Sequence, residues 1–333
     1  MDKNELKLNH IYQGNSLDVL KTLPDESINC IVTSPPYWKL RRYTNNPKEI
    51  GIEKTFYEYI DNLILIFDEI KRILKNDGVC FVNLGDTYSG TKNGNTEIEK
   101  NFKVVADTFK KEKQDIPDRS LCLIPYRFAI KMVEHGWLNR NIICWYKRNQ
   151  MPQSAKNRFT VDFEPIMMFT KNEKYYFKTQ YEPYAPGSDV EYRKTLRLGK
   201  FYRTKEPYKK NVPYSHKNLQ EKGQKVNSMH KKRADGDREF NYNLNGKLMR
   251  CVWDIPTQPS NLNHHAMFPD ILAHRMIDAG CPKNGIVLDP FCGSNTVGKV
   301  AQEKGINWIG IDIDEKCIEE VGKIRTAQKT LMI

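Results

Sequence analysis

A chain of 333 residues, 39% apolar and 28% charged, can bury one large α/β core with an insertion, or two domains, and is too apolar for global disorder. Its longest wholly aliphatic or aromatic run, Leu63 to Phe67, is far too short for a bilayer. The first ten residues hold no hydrophobic leader region, so no membrane association and a cytoplasmic location are expected. Eight cysteines without a C-x-x-C pair argue against a zinc ribbon or a disulfide framework, and the net charge of +12 is not spread evenly.

Residues 11–38 read as strand, helix and strand, ending in the turn Thr33-Ser34-Pro35-Pro36-Tyr37-Trp38. Two prolines stiffen this turn and leave its carbonyls without ladder partners. Rigid acceptors beside an aromatic face suit a planar molecule with an amino group, such as a nucleobase. The alternative is an ordinary proline turn with Tyr37 and Trp38 packed in the core. Phe56, Ile60, Leu63, Phe67, Ile70 and Leu74 share one helical face, and Asn76-Asp77-Gly78 reads as the stop of that helix. Val79 to Leu84 reads as a buried strand, and 89–118 as a mobile polar loop. Pro125 opens a helix that Gly136 closes. A strand over Ile142 to Tyr146 follows, then a hairpin of two strands, Glu164 to Thr170 and Tyr175 to Phe177.

The charge is concentrated. Residues 190–250 hold 17 Lys and Arg against 6 Asp and Glu, interleaved with tyrosines and phenylalanines. Such a block suits phosphate neutralisation and base contact, although a solvated charged loop has the same composition. Beyond it lie a helix over Pro269 to Ala279, a strand over Gly285 to Asp289, a helix from about Asn295, a strand over Trp308 to Ile313 and a last helix to about Gln328. Alternating strands and helices imply a mostly parallel sheet covered on both faces.

The stretch "VLDPFCGSNTVG", Val287 to Gly298, places an acid at a strand end before a tight small-residue turn and a helix start. Small residues admit close backbone approach, and the helix start adds N–H donors. A second acid, Asp312, ends the next strand 23 residues on, where a Rossmann-like sheet holds ribose hydroxyls. No phosphate-loop lysine is present. An acidic first turn suits an ammonium or sulfonium better than a pyrophosphate.

Together the two stretches resemble the β class of DNA amino-methyltransferases, which use S-adenosylmethionine. That family has a D/N/S-P-P-Y/F/W turn after one strand and a D-P-F-x-G-S/G-x-T turn at the cofactor. Four further segments are similar to its motifs: Gly14 to Leu20, Leu84 to Tyr88, Gly136 to Lys171 and Ala266 to Ile277. Only 89–118 and 172–263 fall outside. The chain departs from the family at Asn15, where Asp is common, and at Asn295, where Gly is common. The resemblance implies a Rossmann-like methyltransferase fold with a mostly parallel twisted sheet, a circularly permuted order and an inserted DNA-recognition region. Residues 1–171 would form the catalytic part, 172–263 the basic target-recognition region and 264–333 the cofactor-binding part.

The resemblance also implies site roles. Ser34 and the Pro35 carbonyl would hold the hydrogens of a target amino group, with Pro36 stiffening the turn and Tyr37 stacking on a flipped base. Asn15, Ser16, Asp289, Phe291, Gly293, Ser294, Asn295, Thr296 and Asp312 would surround S-adenosylmethionine. Lys209, Lys210, Lys231, Lys232 and Arg233 would contact double-stranded DNA. A cognate restriction endonuclease acting on the same site is a candidate partner, and no metal is expected. A serine before the prolines favours the N4 of cytosine over the N6 of adenine. An RNA or protein-glutamine methyltransferase and a binding protein without activity are the more distant readings. Asp86 fits substrate placement or turn capping equally. Cys292, Trp145 and Trp253 read as packing residues, and His264-His265 as a loop or base-contacting pair.

Overall fold

The computed structural model describes residues 6–44, 46–90, 114–153, 155–184, 245–257 and 269–319. The chain divides into two units, 180–249 and the remainder. In the smaller, the described residues form a two-stranded antiparallel ladder of β6 (Tyr181–Glu182) and β7 (Lys247–Leu248). This unit is narrower than 172–263: β8 (Val252–Asp254) already belongs to the larger unit, paired with β4 (Leu138–Tyr146). The five basic residues expected at DNA, and His264-His265, lie outside the described residues, as do 91–113 of the expected mobile loop. The flanks of that loop are tied down. Ser89 bonds to Ser120, and the buried Gln114 side chain accepts from the Phe56 amide.

The larger unit is one eight-stranded sheet in the order β1-β10-β9-β2-β3-β5-β4-β8. Its strands also include β1 (His10–Gln13), β2 (Ile28–Thr33), β3 (Leu74–Asn83), β5 (Phe163–Thr170), β9 (Ile286–Asp289) and β10 (Asn307–Asp312). β5 runs antiparallel to both β3 and β4; the other pairings are parallel. The permuted order is visible here, because β9 and β10 from the end of the chain fill the gap between β1 and β2 from its start.

Side-chain parity separates the two faces. Cys80, Val82, Leu84, Ile31, Leu288 and Ile309 join one core with α1 (Ser16–Leu20), α2 (Phe56–Ile73) and α3 (Ile124–Glu134). Val79, Phe81 and Cys30 point the other way, against Gly280 of α4 (Asp270–Gly280), where a Cβ would come 2.8 Å from the Phe81 ring. α5 (Thr296–Glu303) links β9 to β10, and the described chain ends just after α6 (Glu315–Cys317).

α2 forms where its apolar spacing predicts, started by a Thr55–Glu58 capping box. It ends earlier than expected. Leu74 leaves helical geometry at ψ 135 and starts β3, so Asn76-Asp77-Gly78 lies in a bulge of that strand rather than at a helix stop. The chain after β5 fills the bulge. Lys171 and Asn172 donate to the Leu74 and Asn76 carbonyls, and the Tyr176 amide to Asp77. Residues Tyr175 to Phe177 are therefore not the second strand of a hairpin. The real hairpin is β4–β5, because β5 must satisfy ladder groups on both its edges. α3 starts at Ile124 with Pro125 in its first turn, and Gly136 sits beyond its end at φ 78, as the sequence predicts.

From β9 the connections run outward in opposite directions, to β10 through α5, while β2 runs to β3 through α2. Strand order therefore reverses between β9 and β2. In open α/β sheets, ligands bind at the carboxyl ends of the strands flanking such a switch point. Those ends are Asp289 and Thr33.

Candidate active site

A cavity of about 590 Å³ opens at this switch point. Its walls join the proline turn, Ser34 to Tyr37, to the acidic turn after β9 and to Asn15, Ser16 and Asp312. Residues far apart in sequence are bound directly to each other. Thr33 Oγ donates to Asp289 Oδ1 at 2.7 Å, and Ser16 Oγ donates to the Pro290 carbonyl at 2.6 Å. The strand preceding the proline turn and the segment after β1 are thus both pinned to the acidic turn.

The acidic turn is ordered mostly by its own backbone. Asp312 Oδ2 accepts from the Gly293 amide at 2.7 Å, and Oδ1 from the Asp314 amide at 2.9 Å. Asp289 Oδ1 also accepts from the Phe291 amide. Burial pushes both carboxyls up, Asp289 to about 7 and Asp312 to about 6, against the lowering effect of their donors. Buried acids this reluctant to ionise favour a cationic guest, and a carboxylate with two amides bound still has lone pairs for ribose hydroxyls. Phe291, Gly293, Ser294 and Thr296 line the same wall. Asn295 does not. It is fully buried in the left-handed region (φ 56), caps α5 through the Gly298 amide, and its Nδ2 finds no partner among the described residues. Asn tolerates that backbone well, which accounts for its standing where Gly is common. Asn15 caps α1 with its oxygen and donates its amide to the Lys48 carbonyl, at the cavity edge. Cys292 is buried, its thiol pushed well up by burial, in keeping with packing.

The proline turn is held by side chains from other elements. Tyr59 on α2 donates to the Pro36 carbonyl at 2.8 Å. No described residue hydrogen-bonds the Pro35 carbonyl. Tyr37 OH donates to Glu164 Oε2 at 2.8 Å and lies 3.1 Å from Asn83 Oδ1. Burial, then the Glu164 carboxylate, raise the Tyr37 hydroxyl far above its usual range, so it stays protonated. Asn83 donates Nδ2 to the Pro165 carbonyl, which fixes its flip and leaves Oδ1 facing the turn, 3.5 Å from Ser34 Oγ. Glu164 is ion-paired with Lys147, whose ammonium sits 4.3 Å from the Trp145 ring. Gly85 leaves room for the tyrosine: a Cβ there would come 2.4 Å from Tyr37 Cε2. Tyr37 lines the cavity, whereas Trp38 is a core residue.

Asn83 and Tyr59 carry no motif that marks them, and Lys147 and Glu164 lie inside the Gly136 to Lys171 segment that is similar to the family's motifs, but sequence reasoning gave none of the four a role. Asn83 and Glu164 were within reach as polar residues at the ends of buried strands. Asp86 accepts from the Thr87, Leu123 and Ile124 amides, which makes it the cap of α3. Trp145 and Trp253 are buried, although Trp145 also borders the cavity.

A family model described as DNA methylase matches residues 28–323. The chain belongs to this family, and within it to the β-class amino-methyltransferases. It is 32% identical to the type II methyltransferase M.SfiI of Streptomyces fimbriatus, over 92% of this chain and 88% of that protein. The fold matches PvuII DNA methyltransferase (cytosine-N4-specific) at a TM-score of 0.59 and 18% identity, covering 96% of this chain and 87% of that one. It also matches the M1.HpyAVI–SAM complex at 0.51 and 15% identity, covering 96% and 98%. The protein is a DNA methyltransferase of the restriction-modification type, with S-adenosyl-L-methionine as its cofactor. Its buried acids and small-residue turn fit that cation. Among the described residues, no helix is long and apolar enough to cross a membrane.

Proposed function

We propose that the chain methylates the exocyclic N4 of a cytosine flipped out of duplex DNA. The observation that carries this reading is the shared cavity, whose walls join the acidic turn after β9 to the proline turn after β2. When bound, S-adenosyl-L-methionine supplies an electrophilic methyl on a sulfonium. Asp289 would sit at the methionine end and Asp312 at the ribose, with Asn15, Ser16, Phe291, Gly293, Ser294 and Thr296 around them. Asn295 supports the turn from behind.

The target nitrogen has its lone pair delocalised into the ring. Acceptors for both its hydrogens favour tetrahedral nitrogen and free that pair. The Pro35 carbonyl, unbonded within the described residues, is one. Ser34 is the other: its hydroxyl lies 3.5 Å from Asn83 Oδ1, and turning its proton that way would leave the oxygen lone pairs for the amino group. Tyr37 offers a ring for the base, held upright by Glu164 and seated against Gly85. Stacking contributes about 1–3 kcal/mol per base, comparable with the few kcal/mol that flipping costs. Phosphate contacts must supply the remainder, and the basic 172–263 region, with Lys209, Lys210, Lys231, Lys232 and Arg233, is where we place them.

The serine before Pro35 supports cytosine, as does the cytosine-N4 specificity in the name of the PvuII enzyme. Adenine N6 is the second reading, because both amino groups present the same donors. A cognate restriction endonuclease would cut the same site. Modified-base sequencing of DNA from cells expressing the protein tests this: N4-methylcytosine in one sequence context is expected, and N6-methyladenine alone would overturn the choice of base.

A further inference from the structure

The connection from β4 to β5 leaves the cavity wall at Gln150 and returns to it at Glu164. Between those points Met151 is 70% exposed and Phe159 is 95% exposed, with Val161 and Phe163 exposed to a lesser degree. Phe159 forgoes almost all the burial that normally justifies a phenylalanine. Isolated exposed apolar residues are common and need no explanation by themselves. This one is distinguished by its surroundings. Residues 147–162 hold four cations against the single acid Asp162; Lys147 and Arg148 are ion-paired with Glu164 and Asp254, while Lys156 and Arg158 stand just before Phe159 in the sequence.

The connection is also anchored rather than loose. The Lys147 amide donates to the Asp162 carbonyl at 2.7 Å, closing its base. Asn149 exchanges hydrogen bonds with Thr257, donating at 2.9 Å and accepting at 2.8 Å. The Arg158 guanidinium lies 4.1 Å from the Tyr88 ring centroid, which fixes the residue next to Phe159. An apolar tip on an anchored, cationic stalk beside a base-sized cavity matches what duplex opening requires. Lys156 and Arg158 meet phosphates, and an aromatic ring inserts between base steps as the target nucleotide leaves.

We propose that Phe159 is a positioning residue that enters the duplex and fills the stack beside the extruded base, with Met151 flanking it. The inference rests on the DNA methyltransferase reading above. Its consequence is specific: Phe159 helps only where a paired base must be extracted. A target base already unpaired gains nothing from it.

The test compares Phe159→Ala with the wild type on two duplexes of the protein's own recognition sequence, one fully paired and one with the target base in a mismatch. We expect kcat/KM on the paired duplex to fall about tenfold or more, and on the mismatched duplex by less than about twofold. Phe159→Trp should retain most activity on both. Equal losses on both duplexes would mean an ordinary DNA contact and overturn the proposal; so would full activity of Phe159→Ala on paired DNA. A wild type that methylates neither duplex would overturn the methyltransferase reading itself, and the wedge with it.

Discussion

The two turns that face each other across the cavity are made rigid in opposite ways. The acidic turn after β9 is local. Its carboxylates bind backbone amides of Phe291, Gly293 and Asp314, all close in space because adjacent parallel strands deliver them. The proline turn after β2 has little of its own backbone bonding. It is fixed by Tyr59, Asn83 and Glu164, from a helix and two strands that arrive later in the chain. One turn therefore rests mainly on backbone amides beside its own carboxylates, the other on side chains from distant elements. Thr33 Oγ to Asp289 is the direct hydrogen bond between them.

The sharpest way to separate the turns is Gly85→Ala. The added methyl would sit 2.4 Å from the Tyr37 ring, against a hydroxyl that is already tied at its far end. Overpacking of this kind costs about 1–3 kcal/mol. Paid at the clamp, it should lower kcat up to about 100-fold. Affinity for S-adenosyl-L-methionine should stay within about twofold by calorimetry. A parallel loss of cofactor affinity would show that the turns are not independent.

The converse change is Asp312→Ala. It removes the acceptor that orders the Gly293 amide and the carboxylate facing the cavity, charge-assisted contacts worth about 1.5–3 kcal/mol each. Cofactor dissociation constants should rise about 10- to 100-fold while the protein stays folded, with kcat at saturating cofactor changed far less. Unchanged affinity would remove Asp312 from the site.

A smaller effect should appear in the double cycle of Tyr37→Phe and Glu164→Gln. Each alone breaks or weakens the Tyr37–Glu164 hydrogen bond, so the losses in kcat should be non-additive by about 0.5–3 kcal/mol. Additive losses would mean Glu164 acts elsewhere.

The smallest is a pH effect on the acidic turn. Asp289 and Asp312 are raised to about 7 and about 6 from 3.8, so the folded protein holds extra protons between about pH 4 and 7. Their contribution to stability is full below the ordinary carboxylate range and is lost as pH rises through the folded values. A cationic cofactor reverses the preference, since it favours the ionised acids. Its affinity should therefore rise between pH 5.5 and 7.5, by less than about tenfold per unit for each group. Asp312→Asn should flatten that rise. A flat wild-type profile would contradict the assignment.

The same contrast explains what the sequence could convey. The acidic turn was legible because its determinants are contiguous: an acid at a strand end, a small-residue turn, and a second acid one βα unit later. The helical face of α2 and the Pro125 to Gly136 limits of α3 were legible by periodicity and end signals. The support of the proline turn was not, because Asn83 and Glu164 are ordinary strand residues until the sheet brings β3 and β5 together. The bulge at Asn76-Asp77-Gly78 read as a helix stop for a related reason. Its carbonyl partners at Lys171, Asn172 and Tyr176 lie across the sheet, and no local signal announces them. Asn295 shows the limit of motif transfer: it takes up the left-handed backbone that suits Gly, but its side chain turns inward to cap α5 rather than outward to the cavity.

The account stands most directly on Tyr37→Ala, measured for single-turnover methylation at saturating cofactor, cofactor affinity and thermal stability together. The base clamp predicts a loss of about 1–3 kcal/mol in the flipped complex, roughly 5- to 150-fold in rate. Cofactor affinity and melting temperature should be nearly unchanged. Normal turnover in a well-folded Tyr37→Ala protein, or a fall in melting temperature matched by equal losses of cofactor and DNA binding, would contradict it.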